Sequence, residues 1–279
     1  MSKYLLILLF LSINIFAIEL NTIKVKVTQH NNVLKTKIMI QSDMVSEEVA
    51  KRKKTKPEYI TNITAKIDER TVYNISTSPN VSTGLKLQFK FKNQSKTKKL
   101  EIYTTKNNSK QYKNSFQINK LLMSKRGIKS PPLQVKYLIE NNFKTTHSKV
   151  WEETDPRKAI EKLYGSQEMI ENIIHVKVPI ETQNKYLIPV SIKSDLNLES
   201  IAILTDNNPK SLIAIISIPK NGMIDYALNI KAMGVYYYNE KYYNQPSYEA
   251  NIIVIGKAYD GKLYRTIKRV KLLGAIPTS

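Results

Sequence analysis

The side chains that could do chemistry in this chain are few and lie far apart in the sequence. The three histidines, His30, His147 and His175, fall in different segments, and no HExxH or comparable spacing would place two of them around a zinc ion. None of the 279 residues is a cysteine, which excludes disulfides, thiolate nucleophiles, iron–sulfur clusters and cysteine-ligated zinc. We therefore expect no metal site and no cofactor.

The sequence also contains no motif of a common enzyme class. No P-loop, GxGxxG or GxSxG sequence occurs, and only 8 residues are glycine. The adjacent carboxylates of Glu152 and Glu153 stand beside a predicted helix start, where negative charge favours the helix dipole without any catalytic role. We expect a protein that is not an enzyme, since an enzyme would need a convergent polar site that no motif predicts.

A tyrosine-rich segment, MGVYYYNEKYYNQPSY (residues 233–248), is a candidate partner-binding surface. Tyrosine offers a large amphipathic contact area at low entropic cost, so clusters of it are common at binding surfaces. The residues that we expect to contact a partner are Tyr236, Tyr238 and Tyr243. The simpler interpretation is a hairpin whose alternate rings pack on a sheet, because tyrosine also favours strands.

The net charge of +21 is concentrated in the first half of the chain. Residues 21–150 hold 27 Lys and Arg against 8 Asp and Glu, whereas residues 151–279 hold 16 against 14. Lysine outnumbers arginine 38 to 6, and arginine is the residue that binds guanines and phosphates in a forked geometry. We therefore expect no nucleic-acid partner and interpret the charge as a solvated basic face. Steering of an anionic small molecule or an acidic partner is the alternative.

Residues 1–17 have the pattern of a secretory signal peptide. One lysine precedes an uncharged apolar run that ends at Ala17 and is short for a membrane span. We expect cleavage after Ala17, export to the periplasm, and no membrane span after cleavage. An uncleaved anchor is the alternative.

Alternation of apolar and polar residues predicts an all-β fold for the rest of the chain. Ile23, Val25 and Val27 alternate with polar neighbours, and the pattern recurs in GLKLQFKFKN (residues 84–93). Short strands at even spacing, separated by polar turns, are typical of antiparallel sandwiches. The pair Asp260-Gly261 predicts a hairpin between the last two strands.

The strand patterns fall into two regions, which predicts two antiparallel β-sandwiches. The first covers residues 20–120 and the second residues 151–279. Between them, residues 121–150 include the glycine- and proline-containing stretch SKRGIKSPPLQ and are interpreted as a linker. The stretch TDPRKAIEKLYG (residues 154–165) predicts a short helix before the second sandwich, because Thr154 or Asp155 can cap it, Pro156 suits its first turn and Gly165 ends it.

The second region resembles the Y subunit of the SoxYZ sulfur carrier. A short helix ending in KLYG is followed by VKVPIETQNKYLIPVSI, AILTDNNPKSLIAIISI and GKAYDGKLYRTIKRVKLLG, in the order of that family. The motif positions are Gly165, Pro179, Ile188-Pro189, Asn208-Pro209 and Asp260-Gly261. The first region, with IKVKVTQHNNVLKTKIMIQSDM, PEYITNITAKI and GLKLQFKF, is similar to the Z subunit. Together the two likenesses cover most of the chain, in the order Z then Y.

The resemblance implies two immunoglobulin-like sandwiches that work in the periplasm during thiosulfate oxidation. In that family the Y subunit ends in a glycine-rich arm with one cysteine, to which sulfur intermediates are attached while partner enzymes act on them. Laid over that arm, Gly274 and Ala275 take the glycine positions and Ile276 takes the cysteine position. Isoleucine cannot form a thioester, disulfide or persulfide, so this chain cannot carry sulfur covalently. A frayed C-terminus after the last strand is the alternative for the tail.

Two functional hypotheses follow from these patterns. The first is a SoxYZ-like protein that binds other sulfur-oxidation proteins, or an anionic sulfur ligand on its basic first half, without carrying sulfur covalently. The second is an exported β-sandwich module for adhesion or envelope binding that uses the tyrosine-rich segment.

Overall fold

The protein is described by a computed structural model that covers residues 22–41, 45, 50–51, 53–82, 84–93, 98–135, 147–220, 222–232 and 247–273. The strands of the first half are β1 (Thr22–His30), β2 (Val33–Gln41), β3 (Ile60–Ile67), β4 (Arg70–Thr77), β5 (Gly84–Lys92), β6 (Lys99–Lys106), β7 (Gln111–Gln117), β8 (Ile128–Ser130) and β9 (Leu133–Val135). The strands of the second half are β10 (Met169–Glu171), β11 (His175–Lys177), β12 (Glu181–Thr182), β13 (Ile188–Ser194), β14 (Leu198–Thr205), β15 (Leu212–Ser217), β16 (Ile224–Ile230), β17 (Ser247–Ala258) and β18 (Leu263–Leu273). The helical elements are α1 (Ile118–Met123), a 3-10 helix (Ser148–Glu152) and α2 (Pro156–Tyr164).

The strands form two sheets that pack face to face. A seven-stranded sheet has the order β11-β13-β16-β5-β2-β1-β8, and an eleven-stranded sheet has the order β10-β18-β17-β14-β15-β4-β3-β6-β7-β9, with β12 beside β18. Adjacent strands are antiparallel except for β10 and β12, which run parallel to β18. The prediction of an all-β fold made of antiparallel sandwiches is confirmed.

Both sheets continue from the first half of the chain into the second. In the eleven-stranded sheet, β4 pairs with β15 over the register Asn74↔Ser217 to Thr77↔Ala214. In the seven-stranded sheet, β5 pairs with β16 at Leu87↔Leu228 and Gln88↔Ala227. The two sandwiches therefore lie edge to edge, because the backbone hydrogen bonds that join strands within a sandwich also join one sandwich to the other.

The hydrophobic core is continuous across this junction. Tyr73 and Phe89 of the first half stack with ring centroids 4.6 Å apart, and Tyr226 of the second half lies 5.4 Å from Tyr73. All three rings are buried in one cluster with the alternate residues of the surrounding strands. Aromatic pairs at these distances contribute to stability beyond the area that they bury. The junction is thus packed as an interior, not as a contact between two surfaces.

Part of the range interpreted as a linker is built into the first sandwich. The strand β8 extends the seven-stranded sheet beside β1, and β9 extends the eleven-stranded sheet beside β7. Between α1 and β8, Gly127 has a φ of 79°, and a Cβ at this position would lie 2.6 Å from the carbonyl oxygen of Val25. Only glycine fits so close an approach to a neighbouring strand. Residues 136–146 lie outside the described residues.

The predicted short helix is present and covers the outer face of the second half of the eleven-stranded sheet. Asp155 caps α2 by accepting a hydrogen bond from the backbone N–H of Arg157, and Pro156 occupies its first turn. Trp151, from the 3-10 helix, is 1% exposed and packs with the buried side of α2 in a second apolar cluster. The Tyr164 hydroxyl lies 3.1 Å from the hydroxyl of Ser200 on β14, which fixes the last turn of the helix to the sheet.

Candidate functional site

The residues that the sequence singles out as functional lie outside the described residues. These are Gly274, Ala275 and Ile276 of the C-terminal tail and Tyr236, Tyr238 and Tyr243 of the tyrosine-rich segment. What the structure gives is the framework to which both segments are attached. Ala232 precedes the tyrosine-rich segment, Ser247 is the first described residue after its gap, and Leu273 precedes the tail.

The strands that carry the two segments are neighbours. Ser247 is the first residue of β17 and pairs with Leu273, the last residue of β18. The tail therefore begins beside the point where the tyrosine-rich segment rejoins the sheet. This closeness is a property of the long β17–β18 hairpin, whose turn at Asp260-Gly261 was predicted and in which Gly261 has a φ of 87°.

Hydrogen bonds hold this end of the hairpin to two other parts of the chain, one of which is bonded in turn to a third. The Tyr248 hydroxyl donates to the carbonyl oxygen of Ala232 at 3.2 Å, which links the two ends of the segment between them. The backbone N–H of Ala232 in turn donates to the carbonyl oxygen of Lys185 at 2.9 Å. On the other side of β18, the N–H of Lys271 donates to the carbonyl oxygen of Ile180 at 2.8 Å. The base of the tail is thus fixed on both sides.

The tail base has an exposed apolar side chain beside it and an ion pair across the hairpin. Ile180 is 87% exposed although its backbone is bound to β18. The nearest charge pair across the hairpin is Arg269 with Glu249, at 3.3 Å and largely exposed. Neither group supplies a nucleophile, and exposed ion pairs contribute little energy. This end of the molecule can present a peptide segment to a partner but has no chemistry of its own among the described residues.

The histidines are not brought together. His30 ends β1, His175 lies in β11 at the opposite edge of the seven-stranded sheet, and His147 precedes the 3-10 helix. His175 is exposed. Within the described ranges, no group of three or more acidic or histidine side chains could hold a metal ion.

One buried carboxylate organises a cationic cluster on the outer face of the eleven-stranded sheet. Glu101 on β6 is contacted by Lys99 at 2.6 Å, by Lys113 at 2.9 Å and by the Tyr103 hydroxyl at 2.7 Å. Burial opposes the charge, but these hydrogen bonds outweigh it and lower the pKa of Glu101 to about 2. The Glu101 carboxylate is paired within the cluster by the two lysines and the tyrosine, so we assign the cluster a structural role.

The outer face of the seven-stranded sheet is different, because its lysines outnumber its acids. The side chains on β1, β2, β5 and β8 that alternate with the buried ones include eight lysines, which we call the lysine face: Lys24, Lys26, Lys35, Lys37, Lys86, Lys90, Lys92 and Lys129. These four strands contain no aspartate or glutamate. The alternation of β1 and β5 predicted that their lysines point away from the core. It did not predict that the four strands are adjacent, and Lys129 lies in the range that was interpreted as a linker.

Two family models match the chain in tandem. The model described as sulphur oxidation protein SoxZ matches residues 23–117, which contain β1 to β7 except for the first residue of β1. The model described as sulfur oxidation protein SoxY matches residues 160–235, from within α2 to beyond β16. The chain belongs to the SoxYZ-like family of sulfur-oxidation proteins. The matched SoxY range ends before β17, so the tail falls beyond it.

The solved structures provide two likenesses. One is the sulfur carrier protein SoxY from Chlorobium limicola f thiosulfatophilum, with 24% identity and a TM-score of 0.34 over 42% of this chain and 94% of that chain. The other is the BSP domain of a biofilm associated protein, with 9% identity and a TM-score of 0.22 over 93% of this chain and 30% of that chain. We base no argument on either likeness. No curated protein sequence matches significantly.

Members of the SoxYZ-like family are carriers that work with other Sox proteins, and the tandem order makes this chain a fusion of both components. The junction between the sandwiches is accordingly the contact between the SoxZ half and the SoxY half. No helix in the described ranges is long and apolar enough to cross a membrane.

Proposed function

We propose that this chain is a periplasmic, non-enzymatic binding or scaffold component of sulfur oxidation that engages other Sox proteins without carrying sulfur covalently. One observation carries the proposal: a chain composed of SoxZ and SoxY domains contains no cysteine. The thiolate is the group that attacks and holds sulfur, and no other side chain replaces it in that role. The binding of partner proteins must then come from non-covalent contacts at the surface of the chain.

The alignment of the tail with the carrier arm is a separate part of the proposal. It places Ile276 where the family has its cysteine, three residues beyond Leu273, at which the segment is anchored. An Ile276→Cys variant would restore the thiol at the end of the arm. The matched control is Ile180→Cys, because Ile180 is 87% exposed and lies beside the base of the same arm.

The experiment is incubation of the wild type and both variants with thiosulfate, an electron acceptor and the purified sulfur-oxidation enzymes of the same organism, followed by intact-mass measurement. We expect no adduct on the wild type, a sulfur-containing adduct on Ile276→Cys, and little on Ile180→Cys. An adduct on the wild type would refute the non-covalent role. Equal adducts on the two variants would refute the alignment of the arm.

The binding role is tested on the same proteins without turnover. Purified sulfur-oxidation enzymes are titrated onto immobilised full-length chain and onto a chain that ends at Leu273. Binding that requires the tail identifies a docked arm, and binding that does not require it identifies a scaffold surface elsewhere. If none of these enzymes binds either form, the proposed function is wrong.

A further inference from the structure

The lysine face is the least compensated charged surface among the described residues. Among the described carboxylates, the one in contact with the face is that of Asp225 on β16, which pairs with Lys90 at 2.6 Å and with Lys193 at 3.5 Å. Gln88 also donates to Asp225, at 3.3 Å. Burial opposes ionisation, but the two lysines outweigh it and lower the pKa of Asp225, so this acid is charged and fully occupied. Within the described part of the chain, the other lysines of the face have no ion-pair partner.

The pairing of the strands places several of these charges directly opposite one another. The opposed pairs are Lys26 with Lys37, Lys35 with Lys90, and Lys24 with Lys129. Like charges at opposed positions destabilise an antiparallel sheet. The fold therefore bears a repulsion that an anionic surface laid over the face would relieve.

The opposite sheet shows that the chain does pair its cations elsewhere. On the eleven-stranded sheet and its covering helices, described cations meet carboxylates, as Lys257 does with Glu199 at 2.7 Å and Arg265 with Glu171 at 2.7 Å. The lysine face differs because its four strands contribute no carboxylate of their own.

The shape of the face favours a flat macromolecular surface over a small anion. A depression on the face has a volume of about 130 Å³ and is lined by Lys26, Thr28, Lys35 and Lys37. All four side chains are at least partly exposed, and no buried polar group points into the depression. A small anion would remain largely hydrated there, whereas carboxylates on a flat partner could meet several lysines at once.

The composition of the face favours protein over nucleic acid or membrane. The outward positions of β1, β2, β5 and β8 include no arginine and no phenylalanine, tyrosine or tryptophan, so forked contacts to bases and stacking on these large rings are not available. None of the large exposed hydrophobic side chains lies at these positions either. A membrane-binding surface would combine its basic residues with such side chains.

We propose that the lysine face docks the acidic surface of a partner protein, a stretch of aspartates and glutamates at strand-like or helical spacing. The identity of the partner as a sulfur-oxidation protein rests on the proposed function. The docking surface itself rests only on the charge without a described ion-pair partner, the opposed lysines and the lack of a deep anion pocket at the depression between Lys26 and Lys37.

The test compares two triple variants of the full chain with the same change in charge. The first is Lys26→Gln with Lys35→Gln and Lys37→Gln. The control is Lys110→Gln with Lys158→Gln and Lys220→Gln, three exposed lysines that lie off the face and have no described ion-pair partner. A third variant that replaces the three face lysines with arginine keeps the charge. Circular dichroism verifies that all of them fold.

Binding of each variant is measured with the purified sulfur-oxidation enzymes, poly-L-glutamate, single-stranded DNA and vesicles of anionic phospholipid, at low and physiological salt. We expect the face variant to bind its enzyme and poly-L-glutamate at least about 10-fold more weakly than the control, with a smaller salt dependence. The arginine variant should bind like the wild type.

The outcomes separate this inference from the proposed function. If an enzyme binds all variants equally, the docking surface is wrong and the proposed function stands. If no enzyme binds but poly-L-glutamate binding depends on the face lysines, the docking chemistry stands and the proposed function is wrong. If DNA or vesicles bind more tightly than poly-L-glutamate through the same lysines, the assignment to an acidic protein is overturned.

Discussion

Tyr73 is 0% exposed at the junction of the two halves, where most substitutions would destabilise the fold. Replacing it with phenylalanine should nevertheless stabilise the protein. The Tyr73 hydroxyl is buried and has no hydrogen-bond partner among the described residues. Burial, together with the neighbouring Tyr226, raises the pKa of Tyr73 well above its usual range, so the hydroxyl stays neutral. A buried, unsatisfied polar group costs about 1–3 kcal/mol, whereas the ring itself keeps its stacking on Phe89. We expect the free energy of unfolding to rise by about 1 kcal/mol.

The matched control is Tyr164→Phe, because Tyr164 is also buried but its hydroxyl is bonded to Ser200. Losing that bond should lower the free energy of unfolding by about 1 kcal/mol. The assay is urea unfolding followed by the fluorescence of Trp151, the single tryptophan, and by circular dichroism. Tyr73 lies in the first half of the chain and Trp151 in the second. If Tyr73→Phe shifts the urea midpoint measured by Trp151 fluorescence, the two halves unfold as one unit. The reasoning is refuted if Tyr73→Phe destabilises as much as the control.

Three further changes test other parts of the structure. Lys26→Glu should raise the free energy of unfolding by about 0.5 kcal/mol, because the opposed residue Lys37 would then attract residue 26 instead of repelling it. Salt at 1 M should abolish this gain by screening the charges, and a gain that persists in salt would contradict the electrostatic cause. Trp151→Ala should lower stability by about 3–5 kcal/mol by leaving a cavity under α2, and a loss below 1 kcal/mol by circular dichroism would contradict that packing. Because the pKa of Glu101 is lowered to about 2, its ionised form stabilises the fold. This stabilisation is complete above the ordinary pKa near 4.5 and is lost as the pH falls toward about 2. Glu101→Gln should therefore make the free energy of unfolding depend less on pH in this range.

Local sequence signals predicted the elements of this fold well. Ile23, Val25 and Val27 were expected on one face of a strand, and each is at most 2% exposed. Thr154 or Asp155 was expected to cap the short helix, and Asp155 is the cap. Gly261 was expected in the final hairpin turn and adopts the positive φ that such a turn needs. In each case the residues that decide the structure are neighbours in sequence, so the information is local.

The long-range arrangement could not be predicted in the same way. Nothing in the pattern of β4 says that its free edge pairs with β15, some 140 residues later, because backbone pairing is nearly independent of side-chain identity. The strands β8 and β9 have three residues each and carry no periodic signal, which is why their range was interpreted as a linker. The lysine face depends on the adjacency of four strands and was therefore visible only as an excess of charge.

The absence of cysteine and the continuity of the sheets bear on the same question of how this protein can hold a partner. A covalent carrier can rely on one flexible arm, since a single bond holds the cargo. A chain without a thiol must distribute its binding energy over a surface, and such a surface is useful only if the fold keeps its charges in fixed register. The pairing of β5 with β16 and of β4 with β15 fixes the strands of the lysine face to the same core as the base of the tail. A partner docked on the SoxZ half would then meet the SoxY half in one defined geometry, and its affinity should fall steeply as salt rises.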